Sequence, residues 1–364
     1  MLCCRRFKLI PRTRRRRLKR QITKLWKISI TLLVLLLVAG MIFPTWTPSI
    51  KGEQSISLLE QVQINGTGHE VMIRGKDRRN PIIIFVHGGP GCSEIPYVRQ
   101  YQQLLEEHFT IIHYDQRGSG KSYHFFEDYS NVTTDLLVAD LLALTDYAAK
   151  KFGQKKVLLI GHSFGTYIGM KAAAQAPERF TAYIGIGQVS DQVRSELDGW
   201  EYTMEQAKLA GSVNDVKRLE QLHASIARGE QLTPRDLVRK YGGAARLIDD
   251  NMDYYKGFLL HPEYNLLDVV RFLRGVSVSQ KPLLAEEAEN PIDQIVKRLE
   301  IPCYFVMGKY DYMTSAKVAQ QYLNTLDAPK KDFVLFEKSA HYPQFEEKEQ
   351  FAEWLNQAWS ELAM

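Results

Sequence analysis

Residues 157–165 read Val-Leu-Leu-Ile-Gly-His-Ser-Phe-Gly, a stretch that predicts a strand, a turn at a serine and a helix. Its first four residues form a short apolar run, which is typical of a strand buried on both faces. The segment Phe164–Gln175 that follows has a face of small residues and is predicted to be a helix. Glycines two positions before and after Ser163 permit a strand-to-helix turn tight enough to expose the serine hydroxyl. The alternative is an ordinary glycine-rich turn without chemistry.

Short apolar runs alternate with helical patterns on both sides of this stretch. The alternation predicts an α/β fold in which helices flank a mostly parallel sheet. The predicted strands are Val62–Ile64, Val71–Arg74, Ile82–Val86, Thr110–Tyr114, Val157–Ile160, Tyr183–Ile186, Tyr304–Met307 and Phe333–Phe336. The predicted helices between them are Val98–Glu107, Thr134–Lys151, Phe164–Gln175, Ala316–Leu326 and Glu347–Leu362.

A base and an acid for Ser163 are predicted at the ends of two later strands. A serine hydroxyl becomes a nucleophile when a histidine takes its proton and a carboxylate orients that histidine. Asp311 follows the strand Tyr304–Met307, and His341 follows the strand Phe333–Phe336. Because the carboxyl ends of parallel strands meet at one edge of a sheet, both residues should emerge beside Ser163. We therefore predict that Ser163, Asp311 and His341 are the catalytic residues.

A glycine-rich loop after the strand Ile82–Val86 supplies a candidate oxyanion hole. Residues 87–91 read His-Gly-Gly-Pro-Gly, and glycines allow a close approach of the backbone to a substrate. We predict that the N–H groups of Gly89 and of Phe164, the residue after the serine, bind the oxyanion. A plain tight turn is the alternative for this loop.

The combination of motifs resembles the prolyl iminopeptidase family, peptidase family S33 of the α/β-hydrolase fold. The motifs that carry it are His-Gly-Gly-Pro-Gly at 87–91, Asp-Gln-Arg-Gly-Ser-Gly-Lys-Ser at 115–122, Gly-His-Ser-Phe-Gly at 161–165, Asp311 and His341. The resemblance covers the core from about Val62 to Leu362. It implies a serine hydrolase that releases N-terminal residues, often proline, from short peptides through an acyl-enzyme and without a metal. Asp115 and Arg117 are expected to form an ion pair that shapes their loop.

The stretch between about Asp191 and Pro291 has no convincing strand, and its predicted helices are Tyr202–Ala210, Val213–Arg228, Pro234–Tyr241 and Tyr264–Leu273. We predict a helical cap over the active site at residues 191–296, inserted between core segments 51–190 and 297–364. The alternative is a surface insertion without function. The resemblance implies that cap carboxylates hold the ammonium group of the substrate. The candidates are Glu196, Glu201, Asp249, Asp250 and Asp253, of which Glu196 and Glu201 are our predicted substrate-binding residues.

The net charge of +5 hides two parts of opposite sign. Residues 1–27 hold 12 of the 47 basic residues and no acidic residue, so residues 28–364 carry 35 basic and 42 acidic residues, net −7. Residues 28–50 contain no charged residue and are predicted to be a transmembrane anchor. The basic segment predicts a cytoplasmic N-terminus and a catalytic domain outside the cytoplasm. A cleaved signal peptide is the alternative to the anchor. Because the arginines adjoin the apolar segment, we expect anionic lipid as their partner rather than nucleic acid.

The remaining signals narrow the class of protein. Cys92 and Cys303 belong to opposite ends of predicted strands and are expected to be free thiols. No metal-ligand or phosphate-binding spacing is present, and no cofactor is predicted. Two alternatives to an aminopeptidase stay open. The first is a carboxylesterase or lipase with the same three catalytic residues, and the second is an anchored binding protein on an inactive hydrolase scaffold. The sequence leaves the oligomeric state unknown.

Overall fold

The computed structural model describes residues 12–362, and in it eight strands form one sheet. The strands are β1 (Ile56–Ile64), β2 (Thr67–Gly75), β3 (Ile82–Val86), β4 (Thr110–Tyr114), β5 (Val157–His162), β6 (Phe180–Ile186), β7 (Cys303–Gly308) and β8 (Lys331–Phe336). Their order across the sheet is β1-β2-β4-β3-β5-β6-β7-β8. Pairing is antiparallel between β1, β2 and β4 and parallel from β4 to β8. The predicted mostly parallel sheet is confirmed.

Local sequence explains both parts of the sheet. The strands β3, β4, β5 and β7 are buried along their whole length, which matches their mostly apolar sequences. The β1–β2 hairpin turns at Asn65 and Gly66, which have φ of 45° and 86°. Positive φ at both central positions is the requirement of a type I′ hairpin turn, and the Asn-Gly pair meets it.

Some of the helices pack on the two faces of this sheet, and others form the N-terminal segment and the cap. The helices are α1 (Arg12–Ile42), α2 (Thr134–Phe152), α3 (Phe164–Gln175), α4 (Gln192–Leu209), α5 (Val213–Ala227), α6 (Arg235–Lys240), α7 (Asp250–Leu260), α8 (Leu266–Glu289), α9 (Ile292–Ile295), α10 (Ala316–Thr325), α11 (Pro343–Glu346) and α12 (Lys348–Leu362). Leu141 of α2 and Ile168 of α3 pack in the core cluster that contains Ile84. Leu355 of α12 packs in the second cluster, which contains Ile83. Since neighbouring strand residues point to opposite faces, these two clusters are the two sides of the sheet.

Two sequence predictions about helices were wrong in detail. The segment Val98–Glu107 forms two short 3-10 helices, Val98–Gln100 and Gln102–Glu107, with a break at Tyr101. In the cap segment, residues 191–296, the helix α7 was missed. The helix α8 continues through Pro282 to Glu289, well beyond its predicted end at Leu273. Apolar periodicity is weak there because cap helices bury polar residues around a cavity as well as apolar residues in a core.

The apolar N-terminal segment is helical only as far as Ile42, whereas the predicted anchor ran to residue 50. The part Lys19–Ile42 is long and apolar enough to span a membrane, and none of its apolar window is buried within the protein. The same length and composition fit a signal sequence near an N-terminus. Residues 43–50 form no helix, and Thr47 among them is buried against the domain. The first 11 residues, with Cys3 and Cys4, lie outside the described part of the chain.

Candidate active site

Ser163 sits at the turn between β5 and α3 in a backbone conformation that few residues adopt. Its φ is 54° and its ψ is −129°. The turn is possible because Gly165 packs directly on the backbone of β3: a Cβ there would lie 2.0 Å from the carbonyl oxygen of Val86. A Cβ on Gly161 would lie 2.7 Å from the carbonyl oxygen of Gly165. The predicted strand, turn and helix are therefore present. Strain of this kind costs on the order of 1–3 kcal/mol and recurs at functional sites.

His341 and Asp311 are in direct contact. The Nδ1–H of His341 donates to Oδ2 of Asp311 at 2.9 Å, and both side chains are buried. The Oδ1 of Asp311 accepts from the N–H groups of Met313 at 3.0 Å and Thr314 at 2.9 Å. The hydroxyl of Thr314 donates to Oδ2 at 2.9 Å. A proton held on Nδ1 leaves Nε2 of His341 free to accept one, which is the tautomer a general base needs.

Ser163 and His341 line the same cavity, which has a volume of about 560 Å³. The hydrogen bonds of the described residues include none between Ser163 Oγ and His341. Catalytic hydrogen bonds are often long or poorly aligned in the absence of substrate and tighten when substrate binds. The structure thus brings all three predicted catalytic residues to one site and joins two of them by a hydrogen bond.

The glycine-rich loop approaches the serine closely. A Cβ on Gly88 would lie 2.7 Å from Cβ of Ser163, so no side chain fits between them. The next residue, Gly89, has a φ of +119° and lines the cavity together with Phe164. Phe164 is the first residue of α3, and the N–H groups of a first helical turn have no acceptor within their helix. Both predicted oxyanion-hole residues therefore line the cavity that Ser163 lines, and their role stays a prediction.

Arg117 does not pair with Asp115, so the expected ion pair was wrong. Its guanidinium binds Asp140 of α2 through Nε at 2.7 Å and Nη2 at 2.8 Å. These hydrogen bonds raise the pKa of Arg117. Asp115 accepts instead from the backbone N–H of Lys121 and from the hydroxyl of Tyr264, both at 2.6 Å. Burial raises the pKa of Asp115 to about 7 against the lowering effect of these donors. Tyr264 belongs to the cap segment, so Asp115 links its loop to the cap, while Gln116 of the same loop donates to the carbonyl oxygen of His87 at 2.6 Å.

The cap candidates for substrate binding divide into three groups. Glu196 is buried, lines the cavity and forms an ion pair with Nη2 of Arg235 at 2.5 Å. Asp250 also lines the cavity and binds Nη2 of Arg239 at 2.6 Å. The remaining three, Glu201, Asp249 and Asp253, do not line it. Glu201 was a prediction that the geometry contradicts: five positions along a helix place it about 140° around the axis from Glu196, on the exposed side.

Sequence reasoning missed the carboxylate best placed for a cation. Glu287 of α8 is only 4% exposed and lines the cavity near Glu196 and Arg235. Burial, together with the charge of Glu196, raises its pKa to about 8, although Arg235 opposes the rise. No side-chain hydrogen bond to Glu287 is present in the described part of the chain. Its neighbour Glu286 turns to Thr134 on the core, a difference between adjacent glutamates that no local sequence signal reveals.

His162 and Glu94 form a buried pair beside the catalytic candidates. Nδ1 of His162 lies 2.6 Å from Oε1 of Glu94, and Nε2 lies 3.1 Å from the carbonyl oxygen of His341. Burial lowers the pKa of His162, but the charge and hydrogen bond of Glu94 raise it more, so the net shift is upward. Cys92 and Cys303 are both free, as predicted.

Comparisons with known proteins identify the family of this chain. A family described as the α/β hydrolase fold matches residues 81–348. The probable aminopeptidase YbaC of Bacillus subtilis is 32% identical over 310 residues, which cover 84% of this chain and 98% of that protein. A proline iminopeptidase of Saccharolobus solfataricus is 23% identical over 297 residues, 77% of this chain and 84% of that protein.

A solved structure shares the fold over the same region. The crystal structure of proline iminopeptidase from Mycobacterium smegmatis aligns with a TM-score of 0.59 at 15% identity, covering 84% of this chain and 98% of that one. With the family match and the Bacillus relative, the chain belongs to the α/β hydrolase family, as a prolyl iminopeptidase-like hydrolase.

Proposed function

We propose that this chain is a membrane-anchored serine aminopeptidase that releases the N-terminal residue of short peptides through an acyl-enzyme. One observation carries the proposal. A single cavity is lined both by Ser163 and His341 and by the cap carboxylates Glu196 and Glu287. The first pair provides the means to cleave an acyl bond, and the second pair provides negative charge for the amino group of a substrate.

The proposed reaction begins with His341. Its Nε2 takes the proton of Ser163 while Oγ attacks the carbonyl carbon of the first peptide bond. Asp311 holds the imidazole in its tautomer and stabilises the imidazolium. The N–H groups of Gly89 and Phe164 bind the oxyanion, and each such donor contributes about 3 kcal/mol to the transition state. The proton then passes from His341 to the leaving amine, and a water molecule activated by His341 hydrolyses the acyl-enzyme.

The net charge of the cap residues that line the cavity supports selection of substrates with a free amino group. Glu196, Glu287 and Arg235 together carry one net negative charge when both carboxyl groups are ionised. A substrate ammonium neutralises that charge and can donate to the otherwise unpaired Glu287. Without the ammonium, a buried carboxylate with no partner is costly, and the pKa of Glu287 near 8 reflects that cost. An N-blocked peptide offers no such cation.

The anchor follows from the same segment that gives the chain its basic character. We propose that α1 crosses a membrane within its segment Lys19–Ile42, with its basic N-terminal side in the cytoplasm, because basic residues stay on the cytoplasmic side of a span. The hydrolase domain then lies outside the cytoplasm. Fusion of a reporter enzyme after residue 364 tests the orientation, since a reporter active only outside the cytoplasm should be active there and one active only inside should be silent.

The substrate class is tested with matched anilides. The full-length protein should hydrolyse prolyl or alanyl nitroanilide with a free amino group and should turn over the N-acetylated forms far more slowly. A Glu287→Gln variant should narrow that difference, whereas a Glu201→Gln variant should preserve it. Equal rates on free and N-acetylated anilides, with faster hydrolysis of a short-chain nitrophenyl ester, would overturn the aminopeptidase and favour an esterase.

A further inference from the structure

The helix α1 is attached to the cap segment and not only to the core. A Cβ on Gly40 would lie 2.6 Å from Cδ1 of Leu266, so the backbone of α1 touches the first residue of α8. The side-chain amide of Asn265 donates to the carbonyl oxygen of Phe43 at 3.0 Å. The N–H of Trp46 donates to the carbonyl oxygen of Pro262, also at 3.0 Å. The chain therefore leaves α1 at the corner between α7 and α8.

An exposed apolar surface extends from that corner along both cap helices. On α8, Val270 and Leu273 follow Leu266 at positions four and seven, which places them on the helix face that meets α1. On α7, the exposed side chains share one side of the helix. We call this surface the cap face, and its residues are Met252, Tyr255, Leu259, Leu260, Val270 and Leu273. Contiguous apolar surface of this kind marks an interaction site.

Three basic residues are exposed beside the cap face, and Asp249 at the start of α7 is an exposed acidic residue near it. Lys256 is exposed on α7, and Arg274 and Lys281 are exposed on the same side of α8 as Val270. An apolar helix surface bordered by lysine and arginine is the pattern of helices that lie in a membrane interface, where the cations meet anionic headgroups. Continuity with α1 identifies the occupant, because the apolar surface begins where the helix proposed to span the membrane ends.

The cavity opens through this surface. Among the residues that line it, the three exposed ones are Asn251 and Tyr255 of α7 and Leu273 of α8. Two of these three belong to the cap face. The mouth of the cavity therefore lies between the two helices that adjoin the end of α1.

We propose that the cap face rests on the lipid bilayer that α1 spans, so that the cavity mouth opens at the headgroup region. The occupant is lipid, and the substrates this geometry favours are peptides that partition into the membrane interface, such as peptides with an apolar or acylated carboxyl-terminal part. The proposed preference for such substrates rests on the aminopeptidase activity proposed above, whereas the docking of the cap face does not rest on that activity.

Lipid contact is measured without any activity. In the full-length chain, Cys3, Cys4 and Cys92 are replaced by alanine, and a single new cysteine is introduced as Leu260→Cys or as Leu209→Cys. The new cysteine is labelled with the fluorophore bimane, and the protein is reconstituted in phosphatidylcholine–phosphatidylglycerol vesicles. The two leucines are both 75% exposed, but Leu209 ends α4, which makes no hydrogen bond to residues 43–48 in the described chain. Lipids that carry a doxyl quencher near the headgroup should quench most fluorescence at position 260 and little at 209. Equal quenching at the two positions overturns the proposal. This also holds where a second copy of the chain, and not lipid, covers position 260.

Enzyme kinetics test the proposed substrate preference separately. Leu259→Glu combined with Leu260→Glu should leave hydrolysis of a soluble alanyl anilide unchanged and lower kcat/KM several-fold for an alanyl peptide with a carboxyl-terminal acyl chain in vesicles. The matched pair Leu209→Glu with Val213→Glu should change neither. Equal loss on both substrates contradicts delivery from the membrane. Absence of hydrolysis of every free-amine substrate by the unaltered protein contradicts the aminopeptidase and leaves the quenching result intact.

Discussion

The imidazole of His162 lies with Nε2 3.1 Å from the main-chain carbonyl oxygen of His341. Its other nitrogen is 2.6 Å from Glu94, and the upward shift of its pKa favours the doubly protonated ring that donates at both sites. The residue before the candidate nucleophile therefore holds the backbone of the candidate base. Its ring centroid lies 5.0 Å from that of His341, so the two rings also pack against each other.

The Glu94→Gln variant tests this positioning role. Loss of the carboxylate removes the charge that raises the pKa of His162, and so weakens the hydrogen bond from His162 to the carbonyl oxygen of His341. A charge-assisted hydrogen bond contributes about 1.5–3 kcal/mol, so we expect kcat to fall about tenfold or more. Glu94 lines the cavity, but its carboxylate is paired with His162, so KM for alanyl anilide should change little. Glu94→Asp should restore part of the lost rate, and a rise in KM at constant kcat would speak against positioning.

The pKa of Glu287 predicts a pH dependence of substrate binding. Burial and then the charge of Glu196 raise that pKa to about 8, so Glu287 is mostly neutral at pH 6 and gains its charge as the pH approaches 8. We expect KM for alanyl anilide to fall over this range in the unaltered protein. Glu287→Gln should raise KM at pH 8 about tenfold, in line with a lost charge-assisted hydrogen bond, and should flatten the profile. An unchanged profile in the variant would assign the titration to another group.

The same shift predicts an effect on stability with a defined sign. The folded-state pKa of about 8 lies above the ordinary value of 4.5, so the folded state binds the Glu287 proton more tightly than the unfolded state. Stability contributed by this proton is complete below about pH 4.5 and is lost as the pH rises through 8. Glu287→Gln should therefore be more stable than the unaltered protein at pH 9, by on the order of a few kcal/mol. The two should unfold alike at pH 4, as measured by urea unfolding of the full chain.

The packing of Gly165 predicts a sharp contrast between two glycines of α3. A Cβ at Gly165 would meet the carbonyl oxygens of Val86 at 2.0 Å and His87 at 2.7 Å, and both belong to backbone that cannot move aside. At Gly169 the nearest atom is Cε2 of the Tyr183 ring, at 3.0 Å. Gly165→Ala should cost about 3 kcal/mol or more, whereas Gly169→Ala should cost less than about 1 kcal/mol. Thermal unfolding compares them, and similar losses would refute the tight elbow.

Local sequence was sufficient for the sheet and for the placement of the three catalytic candidates. The reason is that each candidate follows a strand whose buried, apolar sequence is easy to recognise, and the carboxyl ends of parallel strands share one edge. Ser163 is additionally marked by Gly161 and Gly165, whose absent side chains are needed for the turn. These features depend on residues close together in the chain.

Features that depend on distant partners could not be predicted. Arg117 pairs with Asp140 and not with Asp115 because α2 passes beside its loop. The spacing of residues 115–122 gives no indication of this contact. Glu287 faces the cavity while Glu286 faces Thr134, since the rotation of α8 is set by its packing. The attachment of Phe43 to Asn265 joins positions that are far apart in sequence.

The central claim, that Ser163 is the nucleophile of an aminopeptidase, is tested most directly by the rate at which Ser163→Ala hydrolyses alanyl or prolyl anilide with a free amino group. We expect a correctly folded protein whose kcat is lower by about four to six orders of magnitude, the range typical for loss of a serine nucleophile. Activity retained within about tenfold of the unaltered protein would contradict it.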